Sequence, residues 1–262
     1  LKEHPTNIDC LYLASVSTRY LKKFEESKKY IEQLLVNAPD MGRAYQEYGH
    51  LNRDQGNEEK AVMHYRQACE LNPALLASWN FLYQYFTKYK NKPAADHAEE
   101  QLKKLKSLPG LLLYISQILN EGRLGLAEEK CRAFLKKNPT NTYAMSLLAE
   151  IANRLGYFDD AEFLLEKAVE FSPDDGDLRT KYAEILRKKQ KFSKTMEQVE
   201  ILCEKFPNNL NYKAQKASEI MQNGDHEEAI NLLNDILKKN PYNFSTLTSR
   251  GHAQKTLGKT DQ

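Results

Sequence analysis

The chain is 262 residues long, 41% hydrophobic and 28% charged, with 38 basic and 36 acidic residues for a formal net charge of +2. That is enough apolar material to bury a core, and the near balance of charge gives no general pull toward nucleic acid or an anionic membrane. The richest apolar run, Leu108 to Ile115, is interrupted by Pro109 and Gly110, so no stretch is long enough for a membrane-spanning helix.

Prolines set a period. Pro5, Pro39 and Pro73 are 34 residues apart, as are Pro139, Pro173, Pro207 and Pro241, while Pro73 to Pro139 spans 66, two periods less two. Two amphipathic stretches joined by a short polar turn fall between successive prolines. In one unit Arg43 to Arg53 predicts a helix, Gln55-Gly56-Asn57 a turn and Glu58 to Leu71 a second helix. Asn72-Pro73 ends it, because a residue before proline is pushed out of the α region. Gly122, Gly156, Gly224 and Gly258 recur at the phase of Gly56, where the turn calls for a positive φ.

Small residues recur as well. Counted from Ile8, the twentieth residues are Ser27, Ala61, Ala95, Ala127, Ala161, Thr195 and Ala229, and the eighth include Ser15, Gly49, Ala149, Ala183, Ala217 and Gly251. Small side chains there let the two helices of a unit approach, with Tyr45, Tyr65, Trp79, Phe134 and Leu165 filling the space around them. Tyr83 and Ile115 are oversized at the eighth position of the third and fourth units.

The pattern resembles the tetratricopeptide repeat, most closely in Arg43-Ala-Tyr-Gln-Glu-Tyr-Gly49 with Ala61, Tyr65, Ala68 and Pro73, and again in Met145, Leu148-Ala149, Gly156, Ala161, Ala168 and Pro173. The resemblance covers the whole chain as a single domain of seven repeats, 8–41, 42–75, 76–107, 108–141, 142–175, 176–209 and 210–243, the third shortened to 32 residues. It implies an all-α fold, a right-handed α-solenoid of antiparallel helix-turn-helix units stabilised by neighbour stacking. Leu1 to Asn7 reads as the tail of a preceding repeat and Phe244 to Gln262 as the first helix of another, an end expected to fray or to pack on another molecule, so the chain is expected to be a piece of a longer protein.

Chemistry is sparse. Cys10, Cys69, Cys131 and Cys203 are isolated and read as buried thiols, with a lean toward a reducing, cytoplasmic compartment. The six histidines form no metal-binding helical pair, no glycine loop cradles phosphate, and no nucleophile and base adjoin, so neither a cofactor, a metal nor catalysis is expected. Paired acids such as Glu58-Glu59 and Glu227-Glu228 suit helix N-termini. The basic run Arg187-Lys188-Lys189-Gln190-Lys191 with Lys194 reads as a solvated helix end rather than a phosphate site, and Phe192, in the turn position of Phe24 and Phe158, as core.

The resemblance also implies a concave groove lined by the second, fifth, sixth, ninth, twelfth and thirteenth residues of each repeat. Tyr12, Val16, Glu47, Ala77 and Phe81 do not match a chaperone-tail carboxylate clamp, and Leu13, Glu47, Phe81, Leu113, Leu147, Lys181, Gln215 and Ser249 form no asparagine ladder. The groove residues expected to meet a partner are Arg19, Arg53, Asn80, Phe81, Gln84, Leu112, Leu113, Leu119, Tyr143, Asn153, Arg154, Lys181 and Arg187. They are mixed in charge at both ends and apolar in the middle, which suits a segment with an apolar centre and acidic flanks. The competing reading is that the short third repeat shifts the packing so that the middle apolar residues meet each other. A protein-binding scaffold without catalysis is the expected function. The family implies, as an alternative, the substrate-recruiting region of a larger bacterial transferase such as a sulfotransferase. Nucleic acid is not an expected partner, and self-association through exposed apolar surface at the ends is a further option.

Overall fold

Seven helices begin where a side chain satisfies a free N–H group of the first turn. Asn7, Asn91, Asn141, Asp175, Asn209, Asp225 and Asn243 each accept such a bond from a backbone N–H two or three residues on. Second helices stop before proline as the sequence demands: Ala38, Asn72, Ser172, Phe206 and Asn240 all have extended φ between −126° and −145°.

A computed structural model describes residues 6–258, so Leu1 to Pro5, most of the expected leading tail, lie outside the described residues, as do 259–262. Among the described residues the chain forms fifteen helices: α1 (Ile8–Tyr20), α2 (Phe24–Asn37), α3 (Gly42–Asp54), α4 (Glu58–Leu71), α5 (Leu76–Lys88), α6 (Lys92–Lys106), α7 (Gly110–Asn120), α8 (Leu124–Lys137), α9 (Thr142–Arg154), α10 (Phe158–Phe171), α11 (Gly176–Lys188), α12 (Phe192–Lys205), α13 (Leu210–Gln222), α14 (His226–Lys239) and α15 (Phe244–Thr256). No strand occurs among them. The fold is an all-α helical-repeat solenoid.

The chain divides into two compact units, Leu1–Cys131 and Arg132–Gln262, the division falling within α8. In the first, α1 pairs with α2, α3 with α4 and α5 with α6, and α2 packs on α3 as α4 does on α5. In the second, α9–α10, α11–α12 and α13–α14 pair in the same way, and α15 packs on α14.

The small positions lie where the pairs cross. Ser27, Ala61, Ala127, Ala161, Thr195 and Ala229 are fully buried, and the Ser27 hydroxyl donates to the Ser15 carbonyl at 2.9 Å. A β-carbon on Gly49 would sit 2.8 Å from the Tyr65 ring, which shows how closely α3 and α4 approach. Around that crossing Tyr65, Val62, Leu82, Phe86 and Ala98 form one core cluster, with Trp79, Phe81 and Tyr83 packed partly buried against it. Tyr83 is thus accommodated at the edge of the core and not at its centre.

Every helix-turn-helix turn needs one residue with positive φ, but glycine is not its only occupant. Lys22, Lys90 and Gln190 adopt φ of 54° to 59° at the phase of Gly56, Gly122, Gly156, Gly224 and Gly258. Phe192 is a correction: it is 43% exposed, because the first residue of a second helix points away from the crossing.

Candidate functional site

In the first unit, α1, α3 and α5 carry Tyr12, Gln46 and Asn80 at equivalent fifth positions and Asp9, Arg43 and Ala77 at second positions. α7 does not simply extend this series. It lies across the N-terminal ends of those helices, running back toward α1. Near its middle the Asn72 side-chain amide donates to the Gln117 carbonyl at 3.1 Å, and the Gln117 side-chain amide donates to the Ala74 carbonyl at 2.9 Å. Asn120 reaches Asn72 Oδ1 at 3.4 Å. Just past the helix, Arg43 Nη2 donates to Glu121 at 2.7 Å and Arg123 bonds Asp9.

Between α7 and the first helices is a cleft of about 550 Å³, whose lining includes Tyr12, Arg43, Gln46, Leu76, Asn80 and Leu113, with Lys106 exposed at its edge. The Arg43 guanidinium stands 4.8 Å from the Tyr12 ring centre. Burial pushes the Glu121 carboxyl above the usual carboxylate range, although Arg43 and Arg123 pull the other way. The cleft can therefore offer side-chain amides for backbone contacts, an apolar wall and a cationic edge.

A second cleft of about 540 Å³ is lined by Arg19, Tyr20, Phe24, His50, Arg53 and Asp54. Here Arg19 is buried and fully engaged, with Nε 2.5 Å from Glu47 and Nη1 2.8 Å from Asp54, and Arg53 also reaches Asp54 at 2.8 Å. His50 Nδ1 and the Tyr65 hydroxyl share a hydrogen bond of 2.6 Å. Burial, with Arg53 and Arg19 nearby, drives the His50 pKa down to about 4, so the ring is neutral near pH 7.

The expected groove residues scatter across these settings. Asn80 and Leu113 share the first cleft. Gln84 is exposed on α5, while Phe81 leans on the Tyr65 ring at 4.5 Å. Leu112 and Leu119 are buried, at 1% and 2% exposure. In the second unit Tyr143 is half-buried, Asn153 accepts from Lys188 at 2.7 Å, Arg154 pairs with Glu150 at 2.7 Å, Lys181 donates to the Ser146 hydroxyl at 2.8 Å and Arg187 pairs with Glu219. The basic run there is largely compensated, since Lys189 and Lys191 both grip Glu162 of α10. Among the described residues, no cluster of three or more His, Cys, Asp or Glu is placed to hold a metal.

Sequence reasoning missed the crossing of α7 and hence Gln117, Glu121 and Arg123. The only signals were the two-residue shortening before Pro109 and the bulky Ile115.

Two family models, both described as Tetratricopeptide repeat, match residues 42–75 and 119–185. No curated protein matches the sequence. Among solved structures, a crystal structure of MamA is 16% identical with a TM-score of 0.50, covering 56% of this chain and 86% of that one. Another, titled MamA MSR-1 C2, is 18% identical with a TM-score of 0.45, covering 53% and 80%. The Cut9–Hcn1 hetero-tetramer of the APC/C is 14% identical with a TM-score of 0.48, covering 95% of this chain and 46% of that one. At such identities the likeness concerns the fold alone.

Proposed function

Because the chain is an array of tetratricopeptide repeats, we propose that it is a protein-interaction scaffold whose first unit holds a partner segment against α1, α3 and α5, without catalysis of its own. The observation that carries this is the cleft lined by Tyr12, Gln46 and Asn80, three equivalent positions on successive first helices. Such a row reads an extended backbone through side-chain amides, while Leu76 and Leu113 receive an apolar side chain and Lys106 favours an acidic neighbour. Asn80, Leu113 and Gln84 are the sequence-expected residues best placed for this role. In the second unit the exposed Lys181 and Arg154 are proposed as further partner contacts. No residue favours the transferase-associated alternative. The four free cysteines suit a reducing compartment such as the cytoplasm, and no helix among the described residues is long and apolar enough to cross a membrane.

The test is a selection from a random peptide library with the full chain as bait, followed by affinity measurement on Asn80→Arg and Gln46→Ala. Enriched peptides should bind Asn80→Arg at least about tenfold more weakly, the loss typical of blocking a central contact. Peptides that bind the Asn80→Arg chain undiminished would remove the groove reading.

A further inference from the structure

We infer that the first unit carries a small-molecule site, lined by α4, α5 and α6, that takes a free aromatic α-amino acid: its ring enters an apolar pocket and its carboxylate and ammonium meet Arg66 and Glu70. None of the residues lining this pocket lines the cleft assigned to a partner segment, so the two readings stand or fall separately.

The pocket, about 300 Å³, opens at the edge of the core cluster around Tyr65. Two short side chains leave it room. Cys69 is the twenty-eighth residue of its repeat, where four other repeats carry Leu35, Leu135, Val169 and Leu237. Ala94 is the nineteenth residue of its own, where the other six carry Glu26, Lys60, Leu126, Asp160, Lys194 and Glu228. Leu82 and Cys69 are buried at the bottom. Burial pushes the Cys69 thiol up to about 12, so that end of the pocket is uncharged near pH 7.

The aromatic walls are already fixed. The Trp79 indole N–H donates to the Pro73 carbonyl at 2.8 Å, and the His97 ring meets the indole edge to face at 5.5 Å. Phe86 is buried, with the Arg66 guanidinium 5.6 Å from its ring centre. A flat ring entering here finds aromatic surfaces that need little further ordering.

The mouth sets the selectivity. Arg66 and Glu70 are four residues apart on α4, so they share one face, and both are exposed. Among the described residues neither makes an ion pair or a hydrogen bond. Two uncommitted charges of opposite sign beside one apolar pocket match a ligand that bears both signs next to its ring. An aromatic amino acid does so, with both groups on a carbon one methylene from the ring. A residue inside a peptide has lost both charges to amide bonds. The volume also sits at the lower end for small-molecule sites, which suits one ring and not a longer segment.

Trp79 is the sole tryptophan of the chain, so its fluorescence reports occupancy. L-Phenylalanine is titrated against the full chain beside 3-phenylpropanoate, phenethylamine and N-acetyl-phenylalaninamide. L-Phenylalanine should change the Trp79 emission saturably and bind at least about threefold more tightly than each of the others, the scale of one exposed charge contact. Arg66→Ala should erase its advantage over phenethylamine, and Glu70→Ala its advantage over 3-phenylpropanoate. Ala94→Phe, which fills the pocket, should abolish binding of all four. No saturable change with L-phenylalanine overturns the inference, and so does equal binding of the four probes, which would mean an apolar cavity without selection. Tightest binding by N-acetyl-phenylalaninamide overturns it in favour of a peptide side chain. If circular dichroism shows that Ala94→Phe does not fold, the comparisons with Arg66→Ala and Glu70→Ala, both at exposed positions, decide alone.

Discussion

Arg43 and Glu121 meet at 2.7 Å although 78 residues separate them in the chain. The pair joins the first turn of α3 to the residue that follows α7, and neither the 34-residue period nor nearest-neighbour stacking would bring them together. Nearby, Arg123 closes on Asp9 at the start of α1. The two second positions, Asp9 and Arg43, are thus read by opposite charges on either side of Gly122.

Removing Glu121 leaves the largely covered Arg43 without its carboxylate. Glu121→Ala should lower unfolding stability by roughly 2–3 kcal/mol, somewhat below the 3–5 kcal/mol seen for fully buried pairs because Arg43 keeps some solvent contact. A double-mutant cycle with Arg43→Met by urea denaturation checks it. Additive losses would mean that the two residues are not coupled.

Gly49 is fixed by contact. A β-carbon there would fall 2.8 Å from two Tyr65 ring atoms, and Tyr65 is fully buried with its hydroxyl tied to His50. Gly49→Ala should cost about 1–3 kcal/mol through overpacking. A rise in the urea midpoint instead would show that α3 and α4 can part without penalty.

His50 makes stability depend on pH. Its folded pKa of about 4 lies below the ordinary value, about 6.5, so the unfolded chain binds more protons between those limits. The contribution of the neutral ring is complete above pH 6.5 and is lost as pH falls toward 4. Against His50→Gln, which does not titrate, wild-type stability should decline by up to about 3 kcal/mol more between pH 7 and 4. Parallel stability curves for the two chains would contradict this.

Lys90 occupies a turn conformation, φ 54°, that glycine holds without strain in other units. Lys90→Gly relieves a left-handed conformation costing about 1–2 kcal/mol and adds unfolded-state freedom worth about 0.5–1 kcal/mol. A gain of about 0.5 kcal/mol should appear as a small rise in Tm by calorimetry. The same change at Lys22 and Gln190 should act alike.

Glu162 decides how basic the α11–α12 turn looks from outside. Burial alone would raise its carboxyl, but Lys189 and Lys191 outweigh that and hold it below the usual range. Glu162→Gln with Asp159→Asn frees both lysines, and retention on heparin should then extend to higher salt than for wild type. Unchanged elution would mean that these lysines were already available to a polyanion.

The sequence by itself determined the helices, their turns and the crossing of each pair, because these depend on neighbours within one 34-residue unit. Proline sets where second helices stop, Asn or Asp caps the starts of α1, α6, α9, α11, α13, α14 and α15, and Ala61 or Gly49 sets how closely two helices pack. Even locally some rules were hidden. Lys22, Lys90 and Gln190 take the turn conformation without a glycine to announce it, since packing on both sides outweighs the local strain. Of the expected groove residues, Asn80 and Leu113 line one cleft beside α7, and their use by a partner is the proposal made above. Only the tertiary structure decided that Arg19 is consumed by Glu47 and Asp54, that Leu112 and Leu119 are buried, and that α7 returns across α1, α3 and α5. Those outcomes depend on which charges and apolar faces meet across dozens of residues. A repeat period cannot express that, because it describes what successive units share, whereas Gln117, Glu121 and Arg123 bond residues two and three repeats back.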